Sequence, residues 1–133
     1  MKSTASILFG LLLLAALAVT QEKKPSGNGV PAYDNAQEQK IFGVIEEVKD
    51  YQCPVSGTIG SHISVKGTGE IIEVHLAPAK FLKEYEIALK PGDQVTVTGV
   101  KFLFDGKPAM LAKNVTIDRM HYTFRDDRGR PLW

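Results

Sequence analysis

The chain is poor in the residues on which most chemistry depends. Its 133 residues include one cysteine, one tryptophan and three histidines. A single thiol cannot close an internal loop, so a disulfide-stapled fold is excluded. In an oxidising compartment a lone Cys53 pairs between chains, binds a metal, or lies buried and inert. There is no G-x-S-x-G, no H-E-x-x-H and no Gly-rich phosphate loop at a strand–helix junction. No nucleophile–base pairing is visible, so the sequence predicts a non-enzymatic protein. No apolar run reaches the roughly 20 residues of a membrane-spanning helix.

What is present begins with an address. Met1-Lys2-Ser3-Thr4 carries one positive charge, residues 7–17 are apolar apart from Gly10, and Ala16-Leu17-Ala18 forms a small-x-small site. A charged start, a short apolar run and such a site describe a secretory signal peptide over residues 1–18. The expected location is periplasmic or secreted, with no membrane span after cleavage. No Cys follows the run, which argues against a lipid anchor. Removing Lys2 from 16 basic residues leaves 15, against 15 acidic ones. Zero net charge disfavours nucleic acid as a partner, because gripping phosphate needs a surplus of Lys and Arg.

Residues 19–39 are polar, broken by Pro25, Gly27, Gly29 and Pro31, and read as a disordered lead. From Lys40 the pattern turns to period 2, with β-branched residues and closely spaced turn signals, as in a sandwich or barrel. Strands are expected at 41–51 (Phe42, Val44 and Val48 inward), 62–66 (Ile63, Val65), 70–77 (Ile72, Val74, Leu76), 94–104, 108–118 and 120–125. Residues 78–85 carry Pro78 at the start and Phe81, Leu82 and Tyr85 at helical spacing, which gives one short helix. Within 94–104 the apolar parity slips at Gly99, from Val95 and Val97 to Val100, Phe102 and Phe104, which signals a bulge or bend. Asp105-Gly106 marks a hairpin. The predicted fold is all-β: a small five- to six-stranded OB-like Greek-key barrel over residues 40–133, with its helix between strands three and four. Phe102 and Phe104 are expected to fill the barrel rather than to stack bases.

Several segments carry a family likeness. They are Gly43-Val44-Ile45, Val74-His75-Leu76-Ala77-Pro78, Pro91 through Gly99, Asp105-Gly106-Lys107-Pro108-Ala109 and the ending Arg125-Asp126-Asp127-Arg128-Gly129-Arg130-Pro131-Leu132-Trp133. Together they resemble the small exported β domain of the MamS/MamX magnetosome proteins, from about Ile41 to Trp133. The resemblance implies a periplasmic or envelope barrel with no established chemistry, and does not imply that the source organism builds magnetosomes. Ala77 departs from the family pattern, which more often has Gly before the Pro. No Cys-x-x-Cys-His is present, so no covalent haem is implied.

Candidate ligands come from one hairpin. If Gly67-Thr68 is a two-residue turn, His62 faces Glu73 and His75 lies diagonal to His62, within the roughly 7–8 Å of such neighbours. His62, Glu73 and His75, with Cys53 just upstream, would suit zinc or copper. The plainer alternative is an outward face that is simply polar, holding no cofactor. His121 reads as surface, and Pro131-Leu132-Trp133 as a cap on the barrel end, a docking tag being the sharper alternative. Two functions follow: an interaction module for a protein, small-ligand or envelope partner, or a metal-handling or redox-accessory protein built on Cys53, His62, Glu73 and His75. Nucleic-acid binding, the third, rests on fold analogy alone.

Overall fold

The structure is a computed structural model that describes residues 31–53 and 57–133. The expected signal peptide, most of the expected lead, and Pro54 lie outside the described residues. Six strands and one short helix follow in order: β1 (Glu38–Gln52), β2 (Ile59–Lys66), β3 (Ile71–Pro78), α1 (Ala79–Glu84), β4 (Gln94–Phe104), β5 (Lys107–Ile117) and β6 (Met120–Thr123). The all-β class is as expected. A short 3-10 turn at Asn35–Gln37 precedes β1, so regular structure begins slightly before Lys40.

The strands form a sheet in the order β3-β2-β1-β4-β5-β6, and β3 also pairs with β5 in parallel. Each of β1 to β5 therefore has a neighbour on both sides. The long β1 makes this possible by serving two partners: residues 38–44 pair with β4 and residues 44–52 with β2. Gly43 sits at the changeover. A Cβ there would lie 2.4 Å from the Lys66 carbonyl oxygen, so only glycine lets the strands approach this closely.

The main core is aliphatic. Ile45, Ile63, Val65, Val74, Val97, Met110, Val115 and Phe124 are almost fully buried. Phe81 and Leu82 of α1 pack onto this cluster, with Pro78 at the helix N-cap; Tyr85 is exposed. The inward face expected for β1 is corrected. Phe42 and Val44 are exposed, and Ile41, Ile45 and Val48 meet the core. A register shift between Ile45 and Glu47 changes the parity, so Ile45 and Val48 point the same way despite their odd spacing.

A register irregularity lies at Gly99, as expected, but the extra residue is on the partner strand. The register jumps from Thr98↔Asn114 to Gly99↔Ala112, so the extra residue is Lys113 of β5. β4 itself keeps strict alternation. Val95 and Val97 face the main core, while Val100 is buried outside it, as are Ala109 and Leu111 of β5. Phe102 and Phe104 share the face of Val100, so they are not barrel filling. They build a second, smaller layer on the other side of the sheet. Asp105 and Gly106 close the β4–β5 hairpin with positive φ at both positions, as a type I′ turn requires.

Candidate metal centre

The second layer contains the histidines. The β2–β3 connection is longer than the two-residue turn expected. Gly67 donates to the Glu70 carbonyl, and Lys66 pairs with Ile71. That moves the register by two residues relative to the expected one. Ser64, not His62, stands opposite Glu73, and His62 stands directly opposite His75. A second irregularity follows at once, between Ser61 and His62, where Leu76 takes no partner. Bulges of this kind re-aim side chains and are common beside functional sites.

The two rings meet edge to face, with His62 Nε2 3.1 Å from His75 Nδ1. Neither is on an outward polar face: His62 is 2% exposed and His75 7%. Aromatic rings close the site on both sides. Tyr51 stacks on His62 with centroids 4.1 Å apart, and Phe102 and Phe104 pack against His75 at 5.3 and 5.5 Å. Cross-strand pairing places Leu111 next to His75 and Val100 next to Leu111, which completes the apolar surround.

Cys53 joins them. It follows β1 directly and is fixed by two backbone bonds, its N–H to the Thr58 carbonyl and its carbonyl from the Gly57 N–H, both 3.0 Å. The thiol is free and buried. One ligand atom from each of Cys53, His62 and His75 lies within 4.8 Å of the others. Tetrahedral zinc has Zn–N bonds of about 2.0–2.1 Å, which puts two nitrogens about 3.3 Å apart. The His–His separation is already close to that.

The electrostatics suit ligation. Burial lowers the pKa of His62, with the charge of Glu73 and the Gly60 and Lys49 backbones opposing it. Burial, and then the neighbouring His62, lower His75 to about 4. Both imidazoles are thus neutral near pH 7, the form that binds metal. His62 Nδ1 and His75 Nε2 are buried without any hydrogen-bond partner among the described residues. The His–His contact satisfies one nitrogen on each ring and leaves the other unmet, a costly arrangement in a core.

Of the four residues expected to ligate, three converge. Glu73 is half-buried and stands apart, accepting a hydrogen bond from the Tyr51 hydroxyl. It reaches His62 through that Tyr51 ring and through its charge, not as a member of the ligand cluster. His121 is exposed and bonds Thr116 Oγ1 at 2.8 Å.

A pocket of about 160 Å³ opens on the cluster, with Leu76, Leu111, Arg125 and Trp133 among its lining residues. The C-terminal segment does fold back, as expected: Leu132 N–H bonds the Phe124 carbonyl, and Trp133 meets Phe81 edge-on. Sequence reasoning missed Tyr51 and Arg125 as parts of this site. Tyr51 stands two residues before Cys53 and alternates with Lys49, the residue paired with His62, which was a usable signal once the register was known.

Among known proteins, a family model described as the MamS/MamX magnetosome protein family matches residues 37–121. The match spans Cys53, His62 and His75 and stops before the 125–133 ending. No curated protein matches the chain. The match covers well over half of the sequence, and the chain belongs to the MamS/MamX magnetosome protein family.

Proposed function

We propose that this chain is an exported, non-enzymatic OB-like module that binds a zinc or copper ion through Cys53, His62 and His75. The observation that carries the reading is the convergence of these three buried donors within 4.8 Å. Thiolate and imidazole together select zinc and copper over the hard cations that prefer oxygen. The ring of pairings β1–β2–β3–β5–β4–β1, with α1 between β3 and β4, supports an OB-like closed barrel. The signal-like start supports export. Family membership supports an association with magnetosome proteins or with an equivalent envelope system.

The site has a structural cost that metal binding explains. Two imidazoles and a thiol buried beside one another gain little from hydrogen bonding and forgo hydration. An ion held by His62 Nε2 and His75 Nδ1, the pair now 3.1 Å apart, would replace that contact with coordinate bonds and give the Cys53 sulfur a partner. Direct titration with Zn(II), and with Cu(I) under reducing conditions, tests this. Wild-type protein is expected to bind one equivalent, and His75→Ala to lose affinity by about 100-fold or more, above the 10–100-fold effect of losing only a supporting contact. Equal affinity of the two proteins would remove the reading.

A further inference from the structure

Arg125 lines the same pocket as the three donors, and its environment is unusual for a cation. Its guanidinium carbon lies 5.3 Å from the ring centroid of Tyr33 and 5.3 Å from that of Trp133. One terminal nitrogen donates to the Gly129 carbonyl at 3.0 Å. Among the described residues no carboxylate forms an ion pair with it. Its Nε is buried and has no hydrogen-bond partner among the described residues. Aromatic faces compensate part of the charge, but the Nε–H donor is left unmet.

The metal reading leaves a second unmet valence. Zinc with three protein ligands keeps an open fourth position, and such positions are filled by water or an exogenous group. One thiolate against a divalent ion leaves a net positive charge, in a pocket that already contains a guanidinium. Cation and cation share one concave space whose walls include Leu76, Leu111 and Trp133. An anion would balance both positive charges. The volume sets its size: about 160 Å³ is close to the roughly 150 Å³ of an engineered cavity that holds benzene. A small carboxylate fits within that volume.

We infer that the pocket is an anion site built onto the metal centre: a small carboxylate takes the open coordination position and accepts a hydrogen bond from Arg125. The inference rests on the metal reading above. Binding is a ligand exchange in which the carboxylate displaces water, with no bond made or broken within the protein. The planar guanidinium and the planar carboxylate are geometrically matched, which a lysine ammonium is not.

Cobalt(II) is the probe, because its spectrum reports both steps. Loading the protein with Co(II) is expected to give a thiolate-to-cobalt charge-transfer band. Absence of that band would overturn the metal reading and this inference with it. Acetate, formate and inorganic phosphate are then titrated at constant ionic strength while the visible d–d bands are followed. Saturable shifts with acetate and formate are expected. Arg125→Gln, saturated with Co(II), should bind acetate at least tenfold more weakly than wild type. An intact charge-transfer band with d–d bands that acetate does not move would overturn the anion site alone. So would Arg125→Gln binding acetate like wild type, or phosphate binding more tightly than both carboxylates. If Arg125→Gln fails to fold, Arg125→Lys is decisive: it keeps the charge but loses the planar guanidinium fork, and unchanged acetate affinity would refute the role assigned to Arg125.

Discussion

Replacing Gly99 with alanine tests the idea that close packing of β4 on β5 builds the layer over His75. A Cβ on Gly99 would lie 2.0 Å from the Leu111 carbonyl oxygen, 2.9 Å from its carbon and 3.1 Å from a Met110 side-chain carbon. Non-bonded heavy atoms are comfortable at about 3.5 Å, so the strands must part by more than an ångström. The nearest atoms belong to backbone, and no rotamer change can relieve the clash. Parting the strands weakens the ladder at Gly99↔Ala112 and Val100↔Leu111. Two ladder bonds at about 1 kcal/mol each, with overpacking strain of about 1–3 kcal/mol, set the cost. The unfolded chain returns about 0.4–1 kcal/mol, because alanine has less freedom to lose than glycine. Net destabilisation is then about 2–4 kcal/mol. With m near 2 kcal/mol/M, a typical urea value for a small domain, the midpoint should fall by about 1–2 M. Urea unfolding followed by far-UV circular dichroism measures it. A Gly99→Ala midpoint equal to wild type at unchanged m would refute the close approach.

Two further outcomes follow from the site. In metal-free protein, folding keeps a proton off His75, whose pKa falls from 6.5 to about 4. Stability should therefore be constant above about pH 6.5 and decline as pH falls towards 4, by up to about 1.4 kcal/mol per pH unit; His62 shifts in the same direction. Urea midpoints across that range should fall less steeply for His75→Phe, and parallel profiles would contradict the assignment. Tyr51→Phe keeps the ring stacked on His62 and removes only the hydroxyl bonded to Glu73. It should cost about 1 kcal/mol and leave zinc affinity unchanged; a large loss of zinc would mean that Glu73 or the phenol contacts the metal.

Much of the framework was legible because local pattern and packing agree. Ile63 and Val65 alternate and are buried, and so do Ile72, Val74 and Leu76. Pro78 and Asp105-Gly106 act where their backbone preferences say they should. The face of β1 was not legible. Its two apolar sets, Phe42 with Val44 and Ile41 with Ile45, have equal claim on the core by alternation alone. The register shift at Glu46, which depends on pairing with β2, then carries Val48 onto the face of Ile45 rather than that of Val44. Pairing is a tertiary fact, and a shift of one residue reverses every side chain.

The candidate site was legible in its parts but not in its assembly. Cys53, His62 and His75 are conspicuous because the chain has so few such residues. Their placement depended on a turn length, and an error of two residues there exchanged His75 for Glu73 opposite His62. Such an even error keeps every side chain on its face, so the alternation could not expose it. The burial of the site was in fact written in β4. Val100, Phe102 and Phe104 stand in strict alternation on the face opposite Val95 and Val97, which means two apolar faces and therefore two buried layers. A second layer needs something to cover, and here it covers His75. A polar pair enclosed by aromatics breaks the local rule that buried polar groups are satisfied, and departures of that kind concentrate where a protein binds something. That argument favours a ligand for His62 and His75 over a merely tolerated histidine pair, because replacing both rings with apolar ones of similar shape would remove the cost of the unmet nitrogens.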